Sequence, residues 1–433
     1  MGAFMANLQG VVATSGRRRL VGPQRLSAPL ALLRAQVQTR ATALGANGMA
    51  WLESGADAPR FHGAAGRLLV EGQRTNLIRN PRGEGVAPGT RAPGAQTDPA
   101  TNWRLVNRGS GLSLDVSAIS ADGMTGLRLR YHGTTGASPA TETLEFDTRN
   151  GIAAPAGTVL TGSFLWRLAA GTLPQGGFQM GPRIVTLNAS AAFVDLAYSP
   201  AAHPDATLRR SAHTMTAGAG VVNAVVGMHL QTFPASTALD FTIDVFWPQL
   251  EAAPFASTPI LPPAGTPGAS TRGADTVTAP FGTLFPSGAG TVLVSCMVPQ
   301  AAASGLDQTI LHLDDGTLNN RFRLYMPNSS TAIVGARSLA GTQVVGTQAG
   351  ATVPGTPFAV GISFDGTGRM TYALAGGAVQ SVTGGPAAGL TTLRVGTNAA
   401  GAAAIFGQTT ALDVLPHGVP ATTLAGLVGA MNV

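Results

Sequence analysis

Residues 240–275 read DFTIDVFWPQLEAAPFASTPILPPAGTPGASTRGAD. Phe241, Ile243, Val245 and Trp247 alternate with Thr242, Asp244 and Phe246, the period-two pattern of a strand with one row turned to a core. Pro248 is expected to end that strand, because proline cannot donate to a central ladder. Six prolines follow from Pro248 to Pro267, too many for helix or sheet, so the stretch reads as an extended, stiff strap between two β-rich bodies.

Composition agrees with an all-β chain. Gly 57 and Pro 29 are high for 433 residues, charged residues are only 11% and hydrophobic residues reach 44%. That balance excludes disorder, which needs low hydrophobicity and high net charge, and suits short strands joined by Gly- and Pro-bearing turns. The basic residues are all Arg, and the net charge is 27 − 21 = +6. Spread over this length it makes no basic face, so no nucleic-acid partner is expected. The tight cluster Arg17, Arg18 and Arg19 reads as a solvated turn or a subunit contact. Cys296 is the one cysteine, which excludes an intrachain disulfide. Its alternation with Val292, Val294 and Val298 places it in a core. No apolar run is long enough for a membrane span. The opening MGAFMANLQGVVATSG has no basic residue before its apolar part and makes a poor signal peptide.

Outward from the strap, residues 1–40 carry Leu26, Leu30, Leu32 and Leu33, a spacing that admits a short helix over 20–33, with Pro23 and Pro29 against a long one; extended segments and short turns, rather than an independent core, are expected there. Residues 76–255 read as one all-β module. Leu127, Leu129 and Tyr131 alternate with Arg128, Arg130 and His132, and Phe164, Trp166 and Leu168 make another inward row. Alanine, aspartate and glycine at 121–123 signal a turn. Residues 280–433 read as a second sandwich with strands expected at 291–298, 308–313, 321–326, 332–337, 358–364, 370–374 and 393–395.

Two segments carry a resemblance. WPQLEAAPFASTPI followed by STRGAD, and RLLVEGQRTNLIR at 67–79, resemble the closing and opening segments of a module of bacteriophage tail and spike proteins and of gene transfer agent particles. QVQTRATALGANGMAWLESGADAPRF, from Gln36, is similar to that module's lead-in. FAVGISFDGTG resembles a hairpin of the laminin-G and concanavalin-like sandwich, with Phe364 where a Trp is usual. The resemblance implies a jelly roll of the carbohydrate-binding-module kind followed by a concanavalin-like sandwich. The expected organisation is thus an attachment region at 1–75, a jelly roll at 76–255, a linker at 256–279 and a second sandwich at 280–433.

No catalytic motif is present. GxSxG and HExxH are absent, GxxxxGK[ST] needs a Lys, and the seven His, at 62, 132, 203, 213, 229, 312 and 417, are scattered. Asp314-Asp315 is the one adjacent carboxylate pair, and it lies in LDDGTLNN, a natural hairpin tip. With Asn319 it offers oxygen ligands of the kind Ca²⁺ takes; no other cofactor is implied. Sugar binding asks for an exposed aromatic face with planar donors beside it. In RFRLYM at 321–326, Phe322, Leu324 and Met326 would face the core and leave Arg321, Arg323 and Tyr325 outward. Arg128, Arg130 and His132 form a second candidate.

The expectation is therefore a non-enzymatic virion protein, a tail-fibre or head-spike component. It would bind host capsule or cell-surface polysaccharide and contact other virion proteins through its N-terminal region. The resemblance implies a homo-oligomer, a trimer by family habit or a pentamer at a capsid vertex. The alternatives are a capsule-degrading enzyme and an architectural spacer without ligand.

Overall fold

The computed structural model describes residues 16–34, 40–47, 50–173, 178–199, 205–301, 305–384 and 389–431. The segment 1–15, most of 35–40 and His203 lie outside them.

The chain is all-β. The first sandwich packs two antiparallel sheets. One has five strands in the order Arg104–Arg108, Ala140–Glu145, Asn223–Phe233, Gln179–Leu187, Phe193–Tyr198. The other has six: Arg209–Thr216, Val159–Gly171, Ala238–Glu251, Met124–Thr134, Ser113–Ala121, Gly89–Arg91. Between them lies a core that includes Trp103, Tyr131, Phe146, Phe164, Trp166, Phe178, Phe233 and Phe241. The turn at 121–123 is a two-residue hairpin loop in which Asp122 (φ 53°) and Gly123 (φ 76°) are both left-handed. That twist matches the flanking strands.

The second sandwich has its own core, which includes Phe285, Val294, Cys296, Ile310, Phe322, Ile362, Phe364 and Tyr372. Its outer sheet runs Thr342–Ala351, Ala332–Leu339, Arg321–Met326, Gln308–Asp314, Thr392–Val395, Thr276–Pro280, Ala31–Leu33. The facing sheet is built on Gly290–Met297, which lies between Phe358–Phe364 and Gly407–Leu415. The helix Ala421–Gly429 closes that sheet's far face with Leu424, Leu427 and Val428.

Four expectations change. The strand entering the strap runs to Glu251, through Pro248. On the side of Met124–Thr134 its pairing stops at Phe246; on the side of Val159–Gly171 the register jumps over Trp247, which bulges at φ 47°. The proline sits where the ladder is already interrupted, as bulges allow. Of the two readings of 20–33, the short helix gives way to the extended one, as the strands Arg18–Gly22, Arg25–Leu26 and Ala31–Leu33. The boundaries expected at 1–75 and 256–279 cut across sheets. Arg18–Gly22 and Arg67–Val70 both pair with Gly407–Leu415, and Ala31–Leu33 pairs with Thr276–Pro280. The strap, expected to be too rich in proline for sheet, contributes strands as well. Ile260 and Leu261 are fully buried and pair with Arg40–Leu44, and Ser270–Arg272 pairs with Arg74–Asn76.

That last pairing brings the two resembling segments together. Glu71 Oε2 accepts from Arg60 Nη1 (2.7 Å), Arg272 Nη1 (2.8 Å) and the Thr258 hydroxyl (2.5 Å), and Oε1 accepts from the Thr258 N–H (2.9 Å). Asp275 accepts from Arg34 Nη1 (2.8 Å), from the Glu71 N–H (2.9 Å) and from Arg60 Nη2. Burial alone would raise the Glu71 pKa, but Arg272, Arg60 and Thr258 together hold it well below the carboxylate range. Asn76 donates to the carbonyls of Pro248 (3.2 Å) and Ile260 (3.0 Å), and Gln249 Oε1 accepts from the Ile260 N–H (2.8 Å). These residues fasten one sandwich to the other, so their role is structural.

Candidate glycan-binding face

Arg128, Arg130 and His132 lie in cross-strand register with acids. Arg128 Nε is 2.7 Å from Asp244, Arg130 Nη2 is 2.7 Å from Asp240, and His132 Nε2 is 3.2 Å from Asp115. Arg167 shares Asp244 at 3.1 Å. Opposite charges alternate across four strands, which leaves a balanced, solvated face.

In Arg321–Met326, Phe322, Leu324 and Met326 enter the core and Arg321, Arg323 and Tyr325 take the other face. That face is not the open platform the alternation suggested: Arg323 is 5% exposed and Tyr325 6%. Arg323 donates to Asp307 (2.8 Å) and Thr309 (3.1 Å), and its guanidinium stands 3.9 Å over the Tyr325 ring, taking one ring face a sugar would stack on. Arg321 bonds Ser338 (3.2 Å) and Gln343 (2.8 Å). The calcium candidates diverge as well. Asp314 accepts from Arg394 and is 2.7 Å from His312 Nδ1, whereas Asp315 turns into its own hairpin tip toward Thr317 and Asn320. The Asn319 N–H is bonded to the Thr317 hydroxyl in the same tip. No group of three or more His, Cys, Asp or Glu placed to hold a metal ion occurs among the described residues.

Beside Asp307 a cleft of about 350 Å³ opens between the sandwiches. Its aromatic rings, Phe255 and Phe406, are set at 81°, and Arg74 fills the corner at 4.8 and 4.2 Å from them.

The exposed aromatics lie elsewhere. Phe193 is 58% exposed and Tyr198 50%, both on the edge strand Phe193–Tyr198 of the five-stranded sheet. Register sets a row across that sheet: Tyr198, Arg183, Gly227, Glu145. Gly227 has no side chain, and a Cβ there would lie 2.5 Å from the Leu144 carbonyl, so only glycine fits. Over this low point the Arg183 guanidinium crosses to the Thr143 hydroxyl (3.1 Å). His229 Nδ1 is 2.9 Å from that hydroxyl, and its ring lies 6.0 Å from Tyr198. Glu145 is engaged through both oxygens by Arg149, at 2.9 to 3.2 Å. Burial first, then the Arg183 charge, push the His229 pKa down to about 4, so the imidazole is neutral near pH 7. The face thus offers two aromatic surfaces, a guanidinium and a neutral imidazole. Nothing in the sequence pattern marked this edge strand as a site.

No family model and no curated protein matches the chain. Solved structures similar to parts of it include three. The Ruminococcus gnavus IT-sialidase CBM40 bound to alpha2,3 sialyllactose is 17% identical, over 33% of this chain and 82% of that one, with a TM-score of 0.27. The CBM22-1 xylan-binding domain of Paenibacillus barcinonensis Xyn10C is 13% identical, over 39% and 96%, with a TM-score of 0.25. The enzymatically active domain of bacteriophage CBA120 tailspike protein 4 is 14% identical, over 40% of this chain and 21% of that one, with a TM-score of 0.26. TM-scores this low carry no argument, and the fold rests on the sheets described above.

Proposed function

We propose that this chain is a non-catalytic glycan-binding protein of a phage or phage-like particle, a tail-fibre or head-spike component whose jelly roll meets host-surface polysaccharide. The observation that carries the glycan reading is the exposed Tyr198, across from Arg183 and near His229, with the exposed Phe193 further along the same edge strand. A pyranose has an apolar C–H face that stacks on such rings and a hydroxyl rim that meets the donors. The non-catalytic reading is supported by Glu145, the carboxylate of the row, which is already engaged by Arg149. The particle assignment comes from the resembling segments, and the homo-oligomer reading from the avidity that weak single sites need.

A glycan array with the full chain tests the proposal. Tyr198→Ala and Phe193→Ala should each weaken binding about five-fold, the equivalent of about 1 kcal/mol for one stacked ring. Absence of binding by the assembled oligomer, together with normal adsorption of particles lacking the protein, would refute the glycan role. Release of reducing sugar from a bound polysaccharide would refute the non-catalytic one.

A further inference from the structure

We infer that the saccharide this face takes carries a carboxylate, and that Arg183 reads it. The inference rests on the glycan-binding reading and specifies its chemistry. Arg183 has no acidic partner within ion-pair distance among the described residues, whereas Glu145 of the row and Arg149, just beyond its strand, satisfy one another. Among the described residues its one side-chain hydrogen bond runs from Nη1 to a neutral hydroxyl, that of Thr143. Its Nε is buried without a partner. Burial weighs against this half-buried guanidinium, and the charge of Glu145 offsets that only in part.

The surroundings keep that charge available. His229 is neutral near pH 7 and Arg149 with Glu145 sums to zero, while Arg104, opposite Glu145 at the far end of the row, adds a second positive charge, so the row with its flanks is net positive. Gly227 leaves the strand beneath it without a side chain, so a ligand group can approach the guanidinium from above. A planar guanidinium meets a carboxylate through two parallel N–H bonds, a geometry a neutral hydroxymethyl group cannot supply. Tyr198, directly across in register, would then hold the ring that bears that carboxylate. The Arg rows expected from sequence differ on this point: Arg128, Arg130 and Arg323 each already hold an acid.

The test uses the full chain and purified uronate-containing capsular polysaccharides, each beside its carboxyl-reduced form, which has the same skeleton without the charge. Titration calorimetry should show the native form bound at least ten-fold more tightly. Arg183→Gln should abolish that preference while weak binding to the reduced form persists through Tyr198 and Phe193. Arg369→Gln, at an exposed arginine of the second sandwich, should keep the preference. An unchanged melting curve shows that each variant is folded. Equal binding of native and reduced forms, or a preference that survives Arg183→Gln, overturns the carboxylate assignment and leaves the glycan reading standing. Binding to neither form of any polysaccharide overturns both.

Discussion

Asp275 is fully buried and bound by two arginines, Arg34 and Arg60, whose side chains are fully buried as well. Removing one member of such a cluster leaves charges without water or partner, at a cost of about 3–5 kcal/mol. Asp275→Ala should therefore lower the thermal midpoint far more than Asp365→Ala, a turn residue, and parallel melting curves will check it. His229 gives a prediction of opposite character. Its folded pKa of about 4 lies below the ordinary 6.5. The unfolded chain thus takes up a proton first as pH falls, so the stability this residue contributes is complete above about pH 6.5 and is lost between there and pH 4. His229→Gln should flatten the dependence of melting temperature on pH across that window. Neither residue stands out in the sequence. Arg34, Arg60, Glu71, Arg272 and Asp275 are spread over more than half the chain, and no local period joins charges that only the folded backbone brings together.

Among the elements, rows whose two faces differ were legible. Val292, Val294 and Cys296 face the core as their alternation requires, and so do Phe322, Leu324 and Met326. Alternation says which way a side chain points, not whether anything lies over it. Arg323 and Tyr325 point outward as read, yet Arg323 covers the Tyr325 ring. Phe193 and Tyr198 are open because their strand is an edge of its sheet, a fact of strand order that one strand's residues do not state. Pro248 misled for a related reason: proline is excluded from an intact ladder, and the bulge at Trp247 breaks the ladder beside it. The strand Asn223–Phe233 carries its own prediction. Gly227→Ala would set a methyl 2.5 Å from the Leu144 carbonyl and press against the strand Ala140–Glu145. Overpacking of this kind costs about 1–3 kcal/mol; chemical denaturation should show that loss, and affinity for the native polysaccharide should fall with it.

At the scale of the molecule, two cores were readable and their mutual attachment was not. The expectation that residues 1–75 form a separate attachment region meets a structure in which Leu20, Val21, Leu30, Leu32, Leu68 and Val70 belong to the core of the C-terminal sandwich. Each buried Leu or Val contributes about 1.5–3 kcal/mol, and a whole domain's net stability is only about 5–15 kcal/mol. A chain beginning at residue 35 should therefore lose the cooperative melting of the second sandwich while the first still melts as a unit, and calorimetry will show one transition in place of two. Failure of such a shortened chain to join a particle would report lost folding before it reported a lost contact.

The strand Arg18–Gly22 has Gly407–Leu415 as its neighbour. During synthesis, a ribosome adding about 5–20 residues per second takes roughly 20 to 80 s to travel from one to the other. For that time the nascent chain carries this strand without that neighbour, beside a jelly roll that can already have closed. A chaperone that holds short apolar segments would find its target there, and a translation pause after residue 75 would lengthen the wait without disturbing the jelly roll.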